Sequence, residues 1–315
     1  MGGRGEVADR RAEKLVFLAF SVVVLIGGTN FVAVRFSNRE LAPFWGAALR
    51  FAAAALLLFA GVLVRRLPLP RGRGLLGAVI YGALGFGAGY AFAYWGLQRV
   101  PAGLAAVILA STPLFTFALA VLHRQEQFRW QPLLGGAIAL GGILVMFSRS
   151  ASAAVPLSSL LAMIATAICA AEASIVIKQF PKSHPITTNA IAMATGAVIL
   201  FALSVAFREP LLRPNQVTTW IALLYLVLLG SSTAFVLFLF VLKHWAASAV
   251  AYQFVLFPVV ATVAAAWLEH QRVAPSMAFG VLLVLTGVYA GAVAGAPFAR
   301  TLHRLGSEPC LTCAE

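Results

Sequence analysis

Apolar positions in this chain neither alternate nor recur on one helical face; they run on almost without interruption. Ten such runs cover residues 15–35, 41–64, 74–96, 101–122, 131–148, 156–178, 186–207, 217–240, 246–266 and 275–295, and the polar residues gather in the gaps. Continuous runs favour helices over the alternating strands of a membrane barrel. Each run is close to the roughly 20 apolar residues that a helix needs to cross about 30 Å of hydrocarbon. The gaps are mostly between 5 and 10 residues, too short for a soluble domain. The pattern predicts an all-α polytopic membrane protein of ten transmembrane helices.

Composition strengthens this reading. Of 315 residues, 61% are hydrophobic and 10% charged, against roughly 25% charged in soluble domains. The first run follows basic residues as a signal peptide would, but no small-residue cleavage site closes it, so it reads as a retained span. The net charge of +13 reads as lipid-facing anchors and topology signals, with no nucleic-acid partner. With loops numbered alternately, 15 Lys and Arg fall on the side of the N-terminus and 7 on the other, and Arg50 lies within a span. This asymmetry predicts both termini in the cytoplasm of a prokaryotic plasma membrane. Cys310 and Cys313 form a lone C-x-x-C in the tail, a weak zinc or redox signal without a second pair.

The two halves repeat each other. Pro113 pairs with Pro258, Gly135 with Gly280 and Gly142 with Gly287, all at an offset of 145. GGTNFVAVR at 27–35 aligns with AAEASIVIK at 170–178, which sets Thr29 against Glu172, and Pro43 aligns with Pro185. Five spans per half is odd, so the second half enters the membrane from the opposite side. Such inverted repeats belong to secondary transporters, with the solute site at midplane between the halves.

Particular residues carry a family resemblance. A small-residue turn leads into the Asn30 stretch, Pro43 opens the next helix, and that helix carries Leu49, Arg50 and Phe51. Later come Pro113, Glu126 in HRQEQF, and glycines at 135 and 142. In these features the chain resembles an EamA-type domain of the drug/metabolite transporter superfamily, and 156–295 resembles it again. The resemblance implies two five-helix repeats, 15–148 and 156–295, and an exporter of amino acids, metabolites or drugs. Residues 1–14 and 296–315 are then cytoplasmic ends, and 149–155 a linker. The sequence departs from the family where Gly27 replaces a frequent Trp and where Gln271 holds the second loop-acid position, with Glu269 displaced by two. Such loop acids read as helix caps or packing features.

No nucleotide-cradling, zinc-protease or serine-hydrolase motif occurs. No cofactor or metal is implied, and an intramembrane enzyme is disfavoured. Glu172 and Arg50 are the two strong charges deep within spans. Each would cost about 2.5–3.5 kcal/mol on insertion scales if left isolated at midplane. Glu172 is a candidate for proton coupling or solute contact; a structural pairing with Arg50 is the alternative. Asn30 needs a partner in hydrocarbon, whereas Thr29 can bond its own helix backbone. Tyr90 and Tyr94 share a helix face, with Tyr90 placed to line a pocket and Trp95 placed as an interfacial anchor. Ser111 and Pro113 in the fourth span, and Tyr252, Gln253 and Pro258 in the ninth, are further candidates. The two prolines are possible bending points for a gate. Ser231, Ser232 and Thr233 are weaker, because hydroxyls there often bond their own backbone. Gly287, Gly291 and Gly295 form a ridge suited to close helix packing or a homodimer seam.

The sequence therefore predicts an alternating-access exporter of a small organic solute, with proton coupling through Glu172. An uncoupled facilitated-diffusion carrier is the first alternative and a non-transporting scaffold or sensor subunit the second. One deep basic residue favours neutral, zwitterionic or aromatic solutes over polyanions.

Overall fold

The computed structural model describes residues 3–100, 102–147, 155–268 and 275–293. Among the described residues there are helices and no strands. The chain runs through α1 (Gly3–Ser37), α2 (Pro43–Val64), α3 (Arg73–Tyr81), α4 (Gly89–Leu97), α5 (Ala102–Leu109), α6 (Thr112–Leu122) and α7 (Trp130–Phe147). It continues through α8 (Leu157–Gln179), α9 (Pro185–Ala206), α10 (Val217–Tyr225), α11 (Ala234–His244), α12 (Ala247–Ala251), α13 (Gln253–Leu268) and α14 (Pro275–Val288). Among the described residues, seven stretches are long and apolar enough to cross a membrane; Trp130–Met146, Ala247–Ala261 and Phe279–Gly291 are shorter apolar helices. The first helix begins at Gly3, so helical structure extends upstream into the basic segment.

Local chemistry explains several helix ends. Pro43 sits in the first turn of α2, where a missing N–H costs nothing, and Pro185 does the same for α9. α2, α6 and α9 all stop through a left-handed residue, Arg66, Arg124 and Arg208 respectively. In each, the next N–H turns back to a carbonyl of the last turn: Leu67 to Val62, Gln125 to Ala120 and Glu209 to Ser204. This is the closing geometry that glycine usually supplies. An arginine there adds a positive charge at the negative end of the helix dipole.

Two long helices are distorted in the middle. α3 and α4 are joined by a π-helical stretch, π1 (Gly82–Ala88), and α10 and α11 by π2 (Leu226–Thr233). These stretches begin 144 and end 145 residues apart. A third, π3 (Tyr289–Val293), follows α14. Two other spans are broken: α5 gives way to α6 at Ala110 and Ser111, and α12 to α13 at Tyr252. Pro113 cannot donate to the Leu109 carbonyl, and the Thr112 hydroxyl donates to it instead at 2.5 Å. Pro258, by contrast, lies inside α13, five residues after that helix begins.

α2 packs along α9, and α7 along α14. α1 packs against α11 and α13, while α8 packs against α4 and α6. Between α7 and α14 the backbones touch. A Cβ on Gly135 would lie 2.3 Å from the Gly291 nitrogen, and one on Gly287 would lie 2.4 Å from the Ala139 nitrogen. The glycine ridge expected as a dimer seam is thus occupied by α7 of the same chain at Gly287 and Gly291. Gly295 lies outside the described residues, as do Gln271, Glu269, Cys310, Cys313 and most of the 149–155 linker.

Candidate functional site

A cavity of about 230 Å³ lies where the two halves meet. One wall is the α3–π1–α4 run, lining it from Tyr81 to Leu97, the last residue of α4. The others come from α1, α8, π2 with α11, and α13. Small residues let these helices draw close: a Cβ on Gly27 of α1 would fall 2.1 Å from the Phe257 ring of α13. The walls are mainly apolar, with aromatic rings clustered at and behind them. Phe86 meets Phe235 edge-on at 4.6 Å, Phe51 meets Tyr90 at 4.7 Å, and Phe254 meets Phe257 at 5.5 Å.

Arg50 is the charged residue of this lining and is 2% exposed. Its Nε donates to Ser231 Oγ at 2.7 Å and its Nη2 to the Gly230 carbonyl at 3.0 Å, both on π2. The guanidinium stands 5.0 Å from the Phe51 ring centre and 5.6 Å from that of Tyr90, within cation–π range. Asn30 donates through Nδ2 to the same Gly230 carbonyl at 3.3 Å. Its Oδ1 is buried and has no partner among the described residues. Among the described residues no carboxylate is paired with Arg50; the ion pair found is elsewhere, between His123 and Glu172.

Glu172 does not line the cavity, although its α8 neighbours Ala170, Ala173 and Ser174 do. His123 Nε2, at the end of α6, lies 3.1 Å from Glu172 Oε1 on α8. The Gln179 amide meets His123 Nδ1 at 2.6 Å. Glu172 Oε2 is buried without a partner. Nearby, Gln125 donates to the Ile175 carbonyl and Lys178 to the Trp245 carbonyl. Glu126 accepts from the Ser248 backbone N–H at 3.2 Å and its hydroxyl at 2.6 Å, capping α12. The loop acid is thus a helix cap that ties one half to the other. Glu209 accepts from Phe44 and Trp45 at the start of α2, and Glu40 accepts from Asn215 and Gln216 before α10.

Of the residues singled out in the sequence, Arg50, Asn30, Tyr90, Tyr94 and Gln253 come together around the cavity. Thr29, Ser111, Tyr252 and Glu172 do not line it. Thr29 donates to its own helix at Leu25 and meets Tyr225 Oη at 2.5 Å. Ser111 bonds the Ile108 carbonyl. Tyr252 turns away to the Pro132 carbonyl, and its hydroxyl fills the space beside Gly291. The alternative Arg50–Glu172 pairing is not found among the described residues, because each has a nearer partner on a different element. Sequence reasoning gave too little weight to Ser231, which holds Arg50, and missed His123 as the partner of Glu172. The signal for Ser231 was Gly230, which sits 145 residues after Gly85, the same offset that pairs the prolines.

The geometry has clear relatives. A solved structure described as "Crystal structure of protein" superposes with a TM-score of 0.75 over 89% of this chain and 98% of its own, at 19% identity, which speaks to fold alone. The "Uncharacterized inner membrane transporter YedA" of Escherichia coli (strain K12) is 29% identical over 285 residues, 87% of this chain and 92% of the relative. A "Probable amino-acid metabolite efflux pump" of Salmonella typhimurium (strain LT2) is 28% identical over 285 residues, covering 87% and 93%. A "Probable terminal-alkyne amino-acid exporter" of Streptantibioticus cattleyicolor is 37% identical over 99 residues, 31% of this chain and 32% of that protein. The EamA-like transporter family matches residues 14–148 and again 157–290. This chain is an integral membrane protein and belongs to that family.

Proposed function

We propose that this transporter exports a small organic solute by alternating access, as two inverted five-helix repeats rocking about the cavity between them. In this reading the membrane is crossed ten times, by the seven long stretches and the three shorter apolar helices. Both termini are cytoplasmic, as the basic asymmetry of the loops favours. Exchange of the halves maps the packing of α1 on α11 and α13 onto that of α8 on α4 and α6. The matched spacing of π1 and π2 supports the same symmetry.

The observation that carries this function is a cavity walled by both halves and holding one buried cation. Relatives named for amino-acid metabolite efflux and amino-acid export support a small metabolite as cargo. Counterflow of labelled amino acids and organic acids into proteoliposomes is the test. Accumulation of label against unlabelled solute is expected, and no counterflow across a broad panel would overturn the reading.

Proton coupling, in this reading, acts at the His123–Glu172 pair. Protonation of Glu172 weakens its hold on His123 and lets α6 and α8 part. An uncoupled carrier is the second reading, favoured by the absence of any acid among the residues that line the cavity. Glu172→Gln decides between them: coupling requires that it flatten the pH dependence of counterflow, while an uncoupled carrier keeps its profile unchanged.

A further inference from the structure

Resting on the transporter reading, we propose that the cavity is built for organic monoanions. These are carboxylic acids with an aromatic or branched apolar body and a neutral donor such as a 2-hydroxyl, held in preference to the corresponding amines or zwitterions. Arg50 brings five N–H donors in a planar fork. Two of them are assigned to Ser231 Oγ and the Gly230 carbonyl. Both partners are neutral dipoles, so the guanidinium charge stays uncancelled. A guanidinium kept for structure is expected to be matched by a carboxylate when it is this deeply buried. Here the acid that could have matched it is engaged by His123.

A ligand carboxylate supplies what is missing, because its two oxygens match the free part of the fork. The second polar feature is Asn30 Oδ1, buried and unpartnered beside the same Gly230 carbonyl. It accepts one hydrogen bond, which suits a hydroxyl next to the carboxylate. An ammonium group in that place carries a second positive charge toward Arg50, and the residues lining the cavity include no acid to offset it. The aromatic walls at Phe86, Tyr90, Phe235 and Phe257 complete the class with an apolar body.

Four ligands of one skeleton test this on the purified wild-type protein in detergent: 3-phenyllactate, 3-phenylpropionate, phenylalanine and phenethylamine, each by titration calorimetry. Phenyllactate is expected to bind tightest and phenylpropionate next. Phenylalanine should bind at least about tenfold weaker than phenyllactate, given like-charge repulsion at an effective dielectric near 20, and phenethylamine not detectably. Arg50→Gln should remove the preference for acids, and Arg50→Lys should restore part of it. Equal binding of phenylalanine and phenyllactate overturns the proposal, as does binding of phenethylamine or failure of all four at millimolar concentration. The wild-type series decides even if the Arg50 variants do not fold. If none of the four binds while other solutes show counterflow, the inference falls and the transporter reading stands. If phenyllactate binds through Arg50 but no solute is carried, the site stands and transport falls.

Discussion

The two π-helical stretches occupy corresponding places in the two halves, yet they are held by different forces. π1 is seated by steric fit against α9. A Cβ on Gly82 would lie 2.4 Å from the Ala192 carbonyl oxygen, one on Gly87 2.8 Å from Ile199, and one on Gly196 2.3 Å from Phe86. π2 is seated by polar contacts, with Arg50 of α2 and Asn30 of α1 converging on Gly230 and Ser231. π-helical turns are rare and expose backbone groups that a regular helix would pair, so each needs outside support. Close-packed glycines supply it for π1, and a buried cation on α2 of the first half supplies it for π2. The cavity between them therefore has an apolar side and a charged side, and a solute entering it is oriented.

Several variants break or sharpen this contrast. The largest effect is expected from Arg50→Ala, which leaves Ser231 and Gly230 without their charged donor inside an otherwise apolar site. Carboxylate binding should fall at least about 30-fold, in line with the roughly 2–5 kcal/mol typical of removing one member of a buried charge contact; calorimetry measures it. Next is Gly82→Ala, where the added methyl meets backbone rather than a movable side chain. A loss of about 1–3 kcal/mol is expected from such overpacking, seen as a lower melting temperature, with the ligand preference unchanged in the protein that remains folded. If Gly82→Ala altered ligand preference as strongly as Arg50→Ala, the division into a steric side and a polar side would be wrong. Ser231→Ala removes one hydrogen bond to a charged group, worth about 1.5–3 kcal/mol. It should weaken binding roughly tenfold and lower stability by an amount comparable to Gly82→Ala.

The smallest effect is expected at the rim of the bundle, at Glu40. A hydrogen bond from Thr219, and others from the backbone of Gln216 and Asn215, hold this carboxyl below its ordinary value, with partial desolvation opposing them. A lowered folded pKa means that the contribution is present above the unfolded value and lost as pH falls through the folded one. Because the group is exposed, Glu40→Gln should shift the melting temperature by only about a degree. The difference between variant and wild type should be seen at neutral pH and vanish in acid. A larger shift, or one that grows in acid, would contradict this assignment.

Much of the fold was legible because hydrocarbon imposes a long, continuous signal. The runs opened by Pro43 and Pro185 became α2 and α9 at the residues where the prolines stand. Other features had no comparable signal. The π-helical stretches arise where glycines permit a close approach that only the partner helix defines, so GALGFGA reads as ordinary helix until α9 is present. The break before Gln253 falls six residues ahead of Pro258, and its counterpart lies close to Pro113. Proline position alone therefore did not locate both breaks. In the site, Arg50, Asn30, Tyr90, Tyr94 and Gln253 could be chosen because polar groups in apolar runs are costly and tend to converge. Pairing was harder. Pairing with Arg50 was only the alternative for Glu172, whose contact is with His123 at the end of the fourth span.

The most direct measurement is counterflow of labelled 3-phenyllactate in proteoliposomes carrying either wild-type protein or Arg50→Gln of verified melting temperature. Wild type should accumulate label transiently above equilibrium, and the folded variant should not. Equal counterflow by both would contradict the central claim that the solute crosses the membrane through the Arg50 cavity.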